Sequence, residues 1–166
     1  MILVATDYFT KWVEAIPLKK VTLANMIDFV KEHIVYRFVI PQTITTDQGT
    51  MFTSGKFDEF AIGMGIKVLN SFPYYAQANG QAKPSNKGII KLIKRKVEES
   101  PRRWHTVLNE ALWSYRMACH GAIKMSPYQL VYGHDAILPW EIKTGSKRIF
   151  SQDQLVADDY DTLMKD

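Results

Sequence analysis

Apolar and polar positions change period several times along the chain, and each change predicts an element. Ile2 to Thr6 is an apolar run rich in β-formers, and Lys11 to Leu18 mixes apolar with polar residues around Pro17. Two antiparallel strands joined tightly through Asp7 to Thr10 are expected. Thr22 is placed to cap a helix in which Met26, Ile27, Val30, Ile34 and Phe38 recur at helical spacing, ending before Pro41. Gln42 to Asp47 reads as a short strand, and Gly49 opens the loop after it. Ser54 should cap a second helix through Met64, Gly65 should end it, and Ile66 to Asn70 should form another buried strand. Alternation of strand and helix predicts an α/β layer fold.

Beyond Phe72 the stretch PYYAQANGQAKP, with two prolines and a glycine, reads as a mobile loop. In the helix expected after it, Lys87, Lys91, Lys94 and Arg95 share one arc while Ile89, Leu92, Ile93 and Val97 lie largely on the other side. Pro101 suits the first turn of a long helix with an apolar stripe of Trp104, Leu108, Ala111, Leu112 and Tyr115. Ser126-Pro127 opens a last short helix that Gly133 stops. No repeat, Gly/Ser linker or low-complexity tract interrupts the chain before about residue 143. The organisation expected is one domain over residues 1–142 followed by a tail or linker over 143–166.

Composition narrows the class. A chain of 166 residues, 46% hydrophobic and 23% charged, can bury a real core as one globular domain. No apolar run approaches the ~18 residues a membrane span needs, and the opening residues are too short and wrongly flanked for a signal peptide. Membrane and secreted readings both fall away. The single cysteine, Cys119, excludes an internal disulfide and any zinc site built on several cysteines, so a reducing compartment is the default. Charge is unevenly spread. From Lys83 to Arg103 eight basic residues face two acidic ones, whereas Asp153 to Asp166 holds five aspartates against Lys165. The concentrated basic segment points to a polyanion partner, and the acidic tail to frayed or disordered chain.

Four local signatures in order then resemble one family. TTDQGTMFTS (Thr45 to Ser54), YYAQANGQ followed by Asn86-Lys87, SPYQLVYGHDAILPWEI (Ser126 to Ile142) and DYFTKWVEAIPL resemble the integrase catalytic core of gypsy-type LTR retrotransposons. The resemblance covers nearly the whole chain. It implies a ribonuclease H-like fold, a mixed sheet flanked by helices, here lacking its first strand. It also implies a polynucleotidyl transferase that integrates DNA by strand transfer with two Mg²⁺ (or Mn²⁺) ions. One ion would activate the attacking oxygen and the other would stabilise the leaving oxygen. The family holds these hard cations with three carboxylates.

Only the second carboxylate is matched, by Asp47. The third position follows thirty-five intervening residues, within the Gln81 to Asn86 context, and is Lys83. The first belongs to a Trp-Gly-x-Asp strand upstream of the one that Ile2 to Thr6 resembles. Asp7 matches instead a family Asp in the turn between the second and third strands, where a side chain can bond nearby backbone amides. Two charges about 5 Å apart interact by roughly 3 kcal/mol at an effective dielectric near 20, so Lys83 repels a cation about as well as glutamate would attract it. The expectation is a catalytically inactive domain in which the Lys83 ammonium takes the vacated metal position and pairs with Asp47. In the family's topology the missing strand is central. Its loss leaves two unpaired edges, to be met by a shifted pairing of Ile2 to Thr6 with Gln42 to Thr46, by another chain, or by instability.

The resemblance places the basic helix along DNA, with Lys87, Lys91 and Lys94 on phosphates. Asn86, Tyr75 and Gln81 are further candidates for nucleic-acid contact, although loop tyrosines more often pack on their own domain. Trp104, Trp113 and Tyr115 read as core, and Cys119 as a buried small apolar residue. Competing readings are an active nuclease or transferase drawing its missing acids from Asp7 and one other residue, Glu14 or Asp58, and a non-catalytic interaction module that dimerises through the helix from Pro101 to Ala118. A fragment without a selected role is the bland reading. The family implies a nuclear location.

Overall fold

The computed structural model describes residues 1–46, 55–70, 91, 104–119 and 124–147. Strands β1 (Ile2–Thr6) and β2 (Val13–Pro17) form the expected antiparallel hairpin, in register Ile2 with Pro17 through Thr6 with Val13. Met1 and Leu18 exchange both backbone hydrogen bonds at one end, and the Asp7 amide donates to the Trp12 carbonyl, 2.8 Å, at the other. Hydrogen-bonded pairs alternate along an antiparallel ladder. Leu3 and Ala5 therefore bond to β2, whereas the amides and carbonyls of Ile2, Val4 and Thr6 point to the opposite edge. The same alternation sends the Val13 carbonyl and the position of the missing Pro17 N–H to the outer edge of β2, where proline removes nothing from the ladder.

Helix α1 (Leu23–Val30) starts where the sequence places it, with the Thr22 hydroxyl accepting from the Asn25 amide at 3.2 Å. It buries Met26, Phe29 and Val30. The chain then widens into a π-helical turn, Lys31–Val35, closed by the Tyr36 amide on the Lys31 carbonyl at 2.9 Å. The sequence pattern predicts uninterrupted α-helix here. The wider turn carries an extra residue and so shifts the facing of everything after it.

Strand β3 (Thr43–Thr46) pairs in parallel with β4 (Lys67–Asn70), and α2 (Gly55–Gly63) connects them, as a strand-helix-strand unit requires. Gly65, at φ +71°, makes the left-handed exit from α2 that a side chain would strain. Helix α3 (Trp104–Met117), α4 (Pro127–Tyr132) and α5 (Pro139–Thr144) complete the described elements. Ser126 caps α4 through its hydroxyl, and Gly133 ends it in the left-handed conformation.

Among the described residues the strands form two separate two-stranded sheets, β1-β2 and β3-β4, and no shifted pairing joins β1 to β3. Two apolar clusters hold these pieces. One joins Val13 and Ala15 of β2 to Leu108, Ala111, Leu112 and Tyr115 of α3, with Ile2 and Val4 against it. The other centres on Met26, Val30, Phe57, Ala61 and Ile66, and gathers Leu3 from β1 together with Ile44 and Val68 from the second sheet. β1 is thus the wall between two cores, because its alternate side chains face opposite ways.

Two expectations are corrected. Trp113 is 46% exposed rather than core, since α3 turns Leu108, Ala111, Leu112 and Tyr115 inward and position 113 lies about 100° from Leu112. Cys119, just past the end of α3, is exposed rather than buried.

Candidate functional site

Most of the residues singled out by the sequence lie outside the described residues. Asp47, Tyr75, Gln81, Lys83, Asn86, Lys87 and Lys94 are among these, and so are the expected pairing of Lys83 with Asp47 and the loop that holds Tyr75. Lys91 is described, and it is helical and exposed. The structure instead makes plain a charge cluster that sequence reading missed.

Its centre is Glu14, in the middle of β2 and only 5% exposed. Flanking Val13 and Ala15 face α3, so Glu14 projects from the other face of the strand, towards the end of the first helix. Its Oε1 accepts from the Trp12 indole Nε1 at 2.9 Å and from the Arg37 guanidinium at 3.0 Å. Its Oε2 accepts from Arg116 at 2.9 Å, and the His33 Nδ1 lies 4.0 Å away. Arg116 reaches in from α3, donates through Nε and a terminal nitrogen to the Val13 carbonyl at 3.1 and 2.7 Å, and lies 4.4 Å over the Trp12 ring. That carbonyl is the one facing the outer edge of β2. Arg116 therefore closes this edge while it neutralises Glu14.

Burial pulls the Arg116 pKa below the usual arginine value; Glu14 opposes that pull and the neighbouring Arg37 charge adds to it. Trp12 also meets Phe38 and Tyr132 edge-to-face, at 6.0 and 5.8 Å between ring centroids. The π turn carries His33 and precedes Arg37 and Phe38, and its extra residue sets the facing that brings them to Glu14 and Trp12. A sequence signal for this cluster did exist. Arg116 follows Leu112 by four positions on the apolar stripe of α3, where a charge needs a partner.

Asp7 is equally committed. Its Oδ2 accepts from both the amide and the hydroxyl of Thr10, each at 2.7 Å, which is the turn-bonding role expected of it. Of the acids named by the competing reading, Asp7 is thus held by its own turn and Glu14 sits among cations, so these two do not converge on an ion. A pair of Mg²⁺ ions needs several converging anionic oxygens. Among the described residues no group of three or more His, Cys, Asp or Glu side chains converges in that way. These residues do not fit such a pair, and no step is routed through one. Nor is any helix, among the described residues, long and apolar enough to cross a membrane.

Comparison with known proteins bears on the same architecture. Residues 1–76 match the family model of the integrase core domain. The Pro-Pol polyprotein of simian foamy virus type 3 is 27% identical over 139 residues, covering 84% of this chain and 12% of that polyprotein. The Transposon Tf2-3 polyprotein of Schizosaccharomyces pombe is 25% identical over 162 residues, covering 96% of this chain and again 12% of the relative. The chain thus spans 12% of the length of these curated relatives. Among solved structures, the HTLV-2 integrase catalytic core domain in complex with magnesium superposes with a TM-score of 0.66 at 23% identity, covering 79% of this chain and 84% of that one. A chain of the simian T-cell lymphotropic virus intasome in complex with PP2A regulatory subunit B56 gamma gives 0.68 at 22% identity, covering 83% and 49%. The fold is that of the ribonuclease H-like retroviral integrase cores, and the chain is integrase-core-like.

Proposed function

We propose that this integrase-core-like domain, of gypsy-type retrotransposon descent, binds duplex DNA through backbone contacts and no longer performs strand transfer. One observation carries the reading. Beside an integrase-core match over residues 1–76 and the integrase-core fold, the sequence has Lys83 where the resemblance would put the third carboxylate, inside a segment with eight basic and two acidic residues. A basic helix retains affinity for phosphates without any metal, because counterion release needs only charge. Lys87, Lys91 and Lys94 would carry those contacts, with Asn86, Tyr75 and Gln81 beside them, and Asp47 would remain as a single carboxylate unable to hold an ion pair. The family's magnesium dependence would then have no productive counterpart here, and a nuclear site of action, as the resemblance implies, belongs to the same proposal.

Fluorescence anisotropy with labelled duplex DNA over a salt series tests the reading. Affinity should fall with salt, and the triple variant Lys87→Glu, Lys91→Glu, Lys94→Glu should flatten the slope of log K against log salt by about 0.9 for each phosphate that is no longer neutralised. Salt-insensitive binding, or none from a folded sample, would sink it. Mn²⁺-dependent nicking of the duplex that disappears in Asp47→Asn would overturn the inactive half of the reading alone.

A second reading is favoured by a specific observation. Trp113 stands exposed on α3, the helix expected to serve self-association, and the HTLV-2 core is known in both dimeric and trimeric forms. Light scattering at micromolar concentration tests it, and a strict monomer would remove its support.

A further inference from the structure

The hairpin turn between β1 and β2 combines features that its role as a connection does not require. Tyr8 and Phe9 are 54% and 79% exposed, and their rings meet edge-to-face at 5.2 Å. They are not on a frayed tip. Asp7 fixes the turn through the amide and hydroxyl of Thr10, the Lys11 amide donates to the Asp7 carbonyl at 3.1 Å, and the Trp12 amide donates to the Thr10 hydroxyl at 3.2 Å. Lys11 takes φ +61°, a left-handed conformation uncommon for a residue with a side chain. Its ammonium bonds the Tyr8 carbonyl and lies 4.7 Å over the Tyr8 ring. Local strain of this kind persists where the surrounding structure holds it, and such positions cluster at functional sites.

The chemistry of the turn is a flat, nearly free aromatic face with a cation beside it, on a backbone already ordered by these hydrogen bonds. Unpaired nucleotides fit this combination: a base stacks on the ring and its phosphate meets the ammonium. An apolar protein pocket would take the rings but would further desolvate the lysine charge, already drawn to the Tyr8 carbonyl and ring, without adding an anion to offset it. Because the turn is rigid beforehand, such binding loses little affinity to ordering. The Asp7 carboxylate keeps its charge, but its Oδ2 is held within the turn by two donors from Thr10.

We propose that the Tyr8-Phe9-Lys11 turn is a stacking site for unpaired nucleotides, with Phe9 as the platform and Lys11 as the phosphate contact. This rests on the nucleic-acid reading above and adds a second binding surface, distinct from the basic helix, with its own preference for single strands.

The test compares labelled oligothymidine with a duplex of equal length by anisotropy across salt, for the full chain and for Phe9→Ala, Phe9→Trp and Lys11→Gln. Phe9→Ala should weaken oligothymidine binding on the order of tenfold, within the span that one base-aromatic stack supports, and leave the salt slope and the duplex affinity unchanged. Phe9→Trp should retain binding. Lys11→Gln should reduce the single-strand slope by about 0.7, the share of one phosphate. The basic-helix triple variant separates the two readings: loss of duplex binding with Phe9-dependent oligothymidine binding intact would leave this proposal standing by itself. Equal oligothymidine affinity for the chain and Phe9→Ala overturns it and assigns the turn to protein contact. Absence of any oligothymidine binding overturns it as well.

Discussion

Glu14 shows how much rests on a single side chain in this protein. A carboxylate at 5% exposure is costly unless it is paired, and here each oxygen accepts from a guanidinium, with the Trp12 indole as a further donor. Arg116 has the larger role of the two arginines, because it also satisfies the outward Val13 carbonyl and covers the Trp12 ring. Arg116→Met should therefore cost about 3 to 5 kcal/mol, the range found when one partner of a buried pair is removed. The companion double variant, Glu14→Leu with Arg116→Met, should recover at least about half of that loss, since it removes the buried carboxylate and leaves only Arg37, whose side chain is 42% exposed and can be met by solvent. Denaturant unfolding of the two variants checks this. A double variant no more stable than Arg116→Met would mean that Arg116 acts through the Val13 carbonyl and Trp12 rather than through charge.

At the scale of elements, the hairpin has two unlike edges. The outer edge of β2 is blocked by Arg116 on the Val13 carbonyl and by the absent N–H of Pro17. The far edge of β1, where Ile2, Val4 and Thr6 point, has no backbone partner among the described residues, and the buried Thr6 hydroxyl also lacks a hydrogen-bond partner there. Amide exchange should separate the two sets: Leu3 and Ala5 protected, Val4 and Thr6 exchanging orders of magnitude faster. Equal protection would show that another segment pairs with this edge. The hairpin itself was legible in the sequence, as were the Thr22 cap, the Gly65 exit and the Ser126 to Gly133 helix, because each is decided by residues within a few positions. The π turn was not, and of the Glu14 cluster only the place of Arg116 on the apolar stripe of α3 was. Val13 and Arg116 are 103 positions apart, and the wider turn that aims Arg37 leaves the apolar period around it nearly unchanged. Trp113 misled for a related reason. A large aromatic suggests core by its type, but its angle on α3 decides its exposure.

For the whole molecule, the consequence of these elements is that stability in two cores depends on one strand. β1 sends Ile2 and Val4 to the cluster on α3 and Leu3 to the cluster on α1 and α2. No ladder joins the two sheets among the described residues, so side chains couple them: the packing across β1, and the contacts of Glu14 with Arg37 and of Trp12 with Phe38. Met26→Ala, at a fully buried position of one cluster, and Val13→Ala, at a fully buried position of the other, should each cost about 2 to 4 kcal/mol. If β1 transmits packing between the clusters, each variant lowers a single unfolding transition followed both by tryptophan fluorescence, in a chain where Trp104, Trp113 and Trp140 are changed to Phe so that Trp12 beside the first cluster is the reporter, and by far-ultraviolet circular dichroism. Leu3→Ala should be the variant that separates the two probes, because it removes the link to one cluster and leaves Ile2 and Val4 in the other. Two transitions already present in the unaltered chain would mean that the clusters fold independently. The hairpin, with its exposed turn, would then keep its fold on α3 whether or not the cluster on α1 and α2 is intact.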